Sequence, residues 1–545
     1  MKSKLICVLA AVYLLVSACS EPTTAPDYSG VQVTLKSADN GDGTYTNPII
    51  QADYSDPDAI RVGDDFFMTA SSFGCAPGLP ILHSRDLVNW QLIAYASPKV
   101  MPEAHYNKIQ HGNGIWAPSL RYHNGIFYIF YGDPDFGIFM LKSEKAEGPW
   151  SEPLLIKEAK GWIDSCPFWD EDGQAYLVHG YAGSRAGIKS ILAVNRMKPD
   201  GTALLDDGIL VFDGHDRNGT VEGPKFYKKN GYYYIFAPAG GVSTGWQLVL
   251  RSKNITGPYE SKVVMSQGKT EINGPHQGAW VSLAGGEDWF LHFQDQEAYG
   301  RVVHLQPMNW KDNWPVIGHD ANGDGTGEPV ITYRKPAVKQ TEMISPESMD
   351  DEFNGDAPSL LWQWHANPGL DWGKSFPGKG VFRMYCQSSA EGSVNLWDVP
   401  SLFLQKWPAV SFEAVAKVKL SLLNEGERFG LIVMGQDYAS VVVENKNGEL
   451  VLNEITCLNA RKGSKENYAG DFQPVSSDLF LKVKVEEGGI CHFSYSENGL
   501  DYKSVGLPFT ANTGRWIGSK IGFFAQRKNK INDSGFVDID RFTMN

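Results

Sequence analysis

The stretch T-V-E-G-P-K-F-Y-K-K-N-G-Y-Y-Y-I-F-A-P-A-G-G, Thr220 to Gly241, reads as two β-strands around a tight turn. Asn230-Gly231 supplies the turn, because Asn and Gly tolerate the positive φ that a two-residue hairpin demands. Ahead of the first strand stands Glu222, followed by Gly223 and Pro224. Taken singly, a carboxylate there serves equally well as a solvated turn residue.

The pattern recurs four more times. Asp56-Pro57-Asp58 precedes A-I-R-V-G-D-D-F-F-M-T-A-S-S, with its turn at Gly63–Asp65. Trp116-Ala117-Pro118 precedes a turn at Asn124-Gly125 and I-F-Y-I-F-Y-G. Asp164-Ser165-Cys166-Pro167 precedes a turn at Asp170–Gly173 and Q-A-Y-L-V-H-G. Gly274-Pro275-His276 precedes a turn at Gly285–Asp288 and W-F-L-H-F-Q-D. A strand–turn–strand unit at a period of roughly 50 to 60 residues marks an array of β-units. Shorter echoes at Ser84, Ser143 and Ser252 leave room in each unit for about four strands, the content of a propeller blade. Five blades closed in a ring aim the first strand of each at one axis. The residues heading the repeats, Asp56, Trp116, Asp164, Glu222 and His276, then converge on one pocket. Packing and turn formation need no acid there, so three acids and a histidine at matched places point to chemistry.

The chain has 545 residues and a formal net charge of −14, which argues against nucleic acid or an anionic membrane as partner. Its length and aromatic content predict more than one folded domain. Residues 1–19 have a basic start, a short apolar run and small residues at the end, as in a signal peptide. Val16-Ser17-Ala18-Cys19 is similar to a bacterial lipoprotein box, so the expectation is a lipid anchor at Cys19 in a periplasmic or cell-surface protein. Residues 20–45 read as a tether. The other cysteines past the leader, Cys75, Cys166, Cys386, Cys457 and Cys491, have no paired spacing and read as buried apolar residues. Cys166 lies near Asp164 in sequence but has no adjacent base that would make it a nucleophile.

The propeller is expected over residues 46–335, a linker over 336–348, and a second domain over 349–545. That domain has period-two strands such as F-E-A-V-A-K-V-K-L, D-L-F-L-K-V-K-V and I-G-F-F-A-Q, which predict an antiparallel sandwich of the concanavalin type. Trp362, Trp364 and Trp372 suit either a sugar-binding face or packing against the propeller, with packing favoured. Asp320–Glu328 imitates a calcium loop, but the twelfth position is Ile331 rather than a bidentate Glu, so an exposed turn is expected.

Three acids fit glycoside hydrolysis. One carboxyl protonates the leaving oxygen, a second activates water across the sugar, and a third holds the proton on the first by repulsion. Spacing alone leaves open which acid does what.

N-P-I-I-Q-A-D-Y-S-D-P-D-A-I-R-V-G-D-D-F-F, W-I-D-S-C-P-F-W-D-E-D-G, V-E-G-P-K-F-Y-K-K-N-G-Y-Y-Y and G-R-V-V-H-L-Q-P-M-N-W-K-D-N-W-P resemble the ordered motifs of glycoside hydrolase family 43. D-D-E-F-N-G followed by L-W-Q-W-H-A-N-P looks like the sandwich appended in many members. The resemblance implies a five-bladed propeller and inversion at the anomeric carbon. It makes Asp56 the general base, Glu222 the general acid, and Asp164 the residue that raises and orients the acid. Arg301 matches a substrate-contacting arginine. Ser165 departs from the family pattern, where Pro usually follows the aspartate. His276 matches a histidine beneath the pocket near a central calcium. Because calcium prefers oxygen, a structural hydrogen-bonding role is weighed above ligation; no cofactor is required, and a structural calcium at His276 is the alternative expectation. Trp116 and Phe73 are the expected pocket-wall aromatics, with Phe168 and Trp246 as further candidates. The expected substrate is a plant cell-wall glycan losing terminal α-L-arabinofuranosyl groups first, β-D-xylosyl groups second. A non-catalytic sugar-binding lipoprotein on the same fold and an endo-acting arabinanase are the competing readings.

Overall fold

The computed structural model describes residues 33–339, 349–389, 392–528 and 532–545. The leader, Cys19, tether residues 20–32 and linker residues 340–348 lie outside the described residues.

Turn chemistry and alternation give five four-stranded antiparallel units in chain order. Their first strands are Asp58–Val62, Trp116–His123, Trp162–Trp169, Lys225–Lys229 and His276–Ser282. Five apolar clusters join neighbouring blades. Ile81 and Ile129 meet between blades 1 and 2, Phe130 and Leu177 between 2 and 3, and Val178 and Phe226 between 3 and 4. Tyr234 and Phe290 lie between blades 4 and 5, and Phe66 and Leu291 between 5 and 1. The fifth cluster makes the array a ring. Polar contacts lock the same seam: Thr44–Thr46 pairs with Thr332–Arg334, and the Asn47 side chain bonds the backbone of Leu305 and Val330 at 2.8–2.9 Å.

One boundary differs from expectation. Val33–Thr34, within the expected tether, pairs with Gln91 and Leu92 as a fifth strand on blade 1, and Leu35 and Tyr45 are buried. Val33-Thr34-Leu35 finds a sheet edge to cover, so order begins within the first 45 residues.

Residues 350–545 form two facing sheets around one large core. Phe412–Ser421 alternates buried side chains with half-buried or exposed ones, as a strand with one face toward solvent must. The tryptophans are explained by packing. Trp362 stacks on Phe403 at 4.5 Å within the sandwich core, while the Trp364 backbone exchanges two hydrogen bonds with Ala76 of the propeller. Among the described residues, the α-helices are single turns of four residues and no helix is long and apolar enough to cross a membrane.

The two domains meet over a polar seam. His111 stacks on Trp397 at 3.6 Å, and Asn367 pairs with the backbone of Val100. Asp53 bridges most economically: Oδ1 accepts the Arg301 N–H at 2.9 Å and Oδ2 accepts the Gly518 N–H at 3.0 Å. Asp53→Ala strands both buried amides and is expected to cost roughly 2–5 kcal/mol. Asp53→Asn, with one acceptor oxygen, should recover about half of that in chemical denaturation.

Candidate active site

Each inner strand is entered through a local bulge. Ser55, Trp116, Ile163, Glu222 and His276 are the last residues paired to the neighbouring strand before the bulge. The next residues, Asp56, Ala117, Asp164, Gly223 and Gln277, all take positive φ, between 28° and 59°. Positive φ in four non-glycine residues is a strained conformation of the kind held at functional sites. Structural register therefore equates Asp56 with Asp164 and sets Glu222, Trp116 and His276 one residue earlier. The acids still meet. Asp56, Asp164, Glu222, His276, Arg301, Trp116 and Phe73 all line one cavity of about 130 Å³.

Asp56 is 4% exposed. Its Oδ2 accepts the hydroxyls of Ser55 at 2.7 Å and Ser71 at 2.6 Å, which leaves Oδ1 for the cavity side and Arg301 at 3.5 Å. Arg301 donates from Nη1 to Ser55 Oγ at 2.7 Å, and its guanidinium lies 4.8 Å from the Phe293 ring centre. The network fixes Asp56 as an acceptor.

Asp164 takes the Gly223 N–H on Oδ2 at 2.8 Å. Gly223 takes φ 59°, and a Cβ there would stand 2.6 Å from the Gln277 side chain, which would have to shift. The Ser165 departure thus leaves Asp164 held by a neighbouring blade. Burial, and then the charge of Asp56, raises Asp164 above the usual carboxylate range. Burial, and then Asp164 and Asp56, raises Glu222 as well. Both carboxyls are therefore held toward their protonated forms.

His276 is fully buried, and burial pushes its pKa down to about 3, so the imidazole is neutral. Its Nε2 lies 3.4 Å from Glu222 Oε1, a contact between neutral groups rather than an ion pair. Both ring nitrogens lack a protein hydrogen-bond partner. Among the described residues no group of three or more His, Cys, Asp or Glu is placed to hold a metal ion. A lone nitrogen donor is a poor calcium ligand, so this donor set does not fit direct ligation. In the Asp320–Glu328 loop the Asp320 carboxylate accepts the Gly323 and Gly325 amides, as a turn requires.

Phe73 and Trp116 stand on the cavity wall, whereas Phe168 opens on the opposite axial mouth and Trp246 bonds Asn218. Cys166 is not on the cavity wall: its sulfur takes Arg121 Nη2 at 2.9 Å, beside the Arg121–Asp58 ion pair. Sequence reasoning missed Trp516. This residue comes from the sandwich, has φ 63° and 39% exposure, and lies 5.7 Å from the Arg301 guanidinium. An exposed aromatic completing another domain's pocket leaves no periodic signal. Trp516→Ala is expected to weaken binding of a small sugar by roughly three- to tenfold, read by calorimetry, with little change in unfolding midpoint.

The model of glycosyl hydrolases family 43 matches residues 45–315, and that of the β-xylosidase C-terminal concanavalin A-like domain matches residues 350–545. A putative beta-xylosidase of Xylanibacter ruminicola is 37% identical over 91% of this chain and 89% of its own. A Bacteroides ovatus protein named non-reducing end alpha-L-arabinofuranosidase is 30% identical over 75% of this chain and 77% of its own. The solved structure described as Bacteroides ovatus xyloglucan PUL GH43B superposes with a TM-score of 0.79 at 25% identity, covering 92% of this chain and 99% of that one. With its propeller, its sandwich and these relatives, the chain belongs to glycosyl hydrolase family 43 and is a glycosidase.

Proposed function

We propose that this enzyme removes single β-D-xylosyl groups from the non-reducing ends of plant cell-wall glycans with inversion, and accepts α-L-arabinofuranosyl groups as a second substrate. The carrying observation is the convergence of Asp56, Asp164 and Glu222 on one small cavity. A pocket that small, walled by Trp516, suits one terminal sugar. Sequence reasoning placed arabinofuranosyl first; the longer and more identical match to a protein named putative beta-xylosidase supports reversing that order. The arabinofuranosidase name of the Bacteroides ovatus relative supports the second substrate. Family membership leaves no support for the non-catalytic reading.

Asp56 acts as the base. Its carboxylate takes a proton from water as the water oxygen bonds the anomeric carbon. The bond from that carbon to the leaving oxygen breaks, and the proton of Glu222 passes to that oxygen. Asp164 keeps Glu222 protonated until then, and neutral His276 adds no charge that would release the proton. We further propose that Cys19 carries a lipid that holds the enzyme at the bacterial envelope.

Activity on aryl β-xylosides and α-L-arabinofuranosides, with proton NMR of the first-formed anomer, tests the reaction; a retained anomer overturns inversion. Glu222→Ala should lose far more activity on poor leaving groups than on activated aryl glycosides, and equal loss on both counts against the acid assignment. Glu222 must be protonated to act, so kcat/KM should fall as pH rises through about 8. Asp164→Asn removes a neighbouring negative charge, lowers the pKa of Glu222 and should move that alkaline limb about one pH unit toward acid.

A further inference from the structure

The mouth beside Glu222 carries more positive charge than the protein answers. Lys189 and Arg185 come from one short segment of blade 3. Lys189 donates to Thr220 Oγ1 at 3.2 Å, two residues before Glu222, and its charge is felt at the Glu222 carboxyl. The Arg185 guanidinium lies 6.0 Å from the Trp116 ring centre and donates to Asn113 at 2.7 Å. Arg515 approaches from the sandwich: a Cβ on Gly112 would lie 2.4 Å from Arg515 Cγ, and its guanidinium is 4.2 Å from the Trp516 ring centre. Arg461 stands nearby with Gln436 as its hydrogen-bond partner. Among the described residues Asp135 pairs with Arg185 alone, through Nε at 3.1 Å and Nη2 at 3.4 Å, and no carboxylate is in ion-pair reach of Lys189, Arg461 or Arg515. Burial first, and then the like charges of Arg461 and Arg185, lowers the pKa of Arg515. In a chain of net charge −14, an unanswered basic rim here marks a place for an anion.

The general acid protonates the leaving oxygen, so groups flanking Glu222 face the leaving glycan rather than the terminal sugar. A guanidinium fork matches a carboxylate in two parallel hydrogen bonds. We propose that the rim formed by Arg185, Lys189 and Arg515 is a leaving-group subsite for a glycan bearing a uronic acid, whose carboxylate it binds. This rests on the hydrolase reading for its orientation, and extends that reading from the released sugar to the chain that it leaves.

The test is calorimetry on the Asp56→Asn protein, in which turnover is suppressed. The ligands are a xylotriose with glucuronic acid on its internal xylose and the methyl ester of the same compound. The acid is expected to bind about tenfold more tightly than the ester at low ionic strength, with the preference shrinking as salt is added. Adding Arg185→Gln and Arg515→Gln together should bring the two affinities level. Any loss of folded protein reduces both ligands alike and leaves their ratio intact. Equal binding by the Asp56→Asn protein, or a preference that survives the added double substitution, overturns the proposal. Aryl glycoside hydrolysis by the unaltered enzyme reads the reaction separately. Activity there with equal binding sinks only the subsite, and a carboxylate preference without activity sinks only the hydrolase reading.

Discussion

Closure of the ring is the constraint on which the rest depends. Asp56 and Glu222 are far apart along the chain, and no local structure brings them together. The apolar contact between blades 5 and 1, locked by Asn47 and the Thr44–Thr46 pairing, fixes the angular position of every inner strand. Each carboxylate then inherits its place from the whole ring. Catalytic geometry is here a property of tertiary closure, with strand pairing supplying only the spokes.

Within that frame, electrostatics sorts chemically similar groups. Asp56 is surrounded by donors, two hydroxyls and a guanidinium, which suits a base. Glu222 faces a neutral imidazole and two acids, which suits a proton donor. Asp164 lies between these roles, held by the Gly223 backbone amide with the Gln277 side-chain amide at 3.5 Å. Carboxyl groups of the same chemistry are set apart here because their neighbours differ in charge.

Much of this was legible in the chain. Asn-Gly turns and alternating aromatic runs are local signals, so the five repeats and the sandwich strands were readable without long-range information. The acids stood out because repetition gave them a common address. The one-residue offset of Glu222 from Asp56 and Asp164 did not, because a bulge is set by the partner strand rather than by its own residues. Val33–Thr34 was hidden in a polar leader, being too short to show a period. Trp516 was hidden for another reason: its role exists only where two domains touch.

That last contact changes what the second domain is. An appendage could be lost or exchanged without consequence for chemistry, but Trp516 lines the cavity with the three acids and Gly518 shares Asp53 with Arg301. The sandwich behaves as the missing wall of the propeller. Lineages that shuffle such modules would have to inherit both halves as a matched pair, because a foreign sandwich would leave the acids intact around a pocket of another shape.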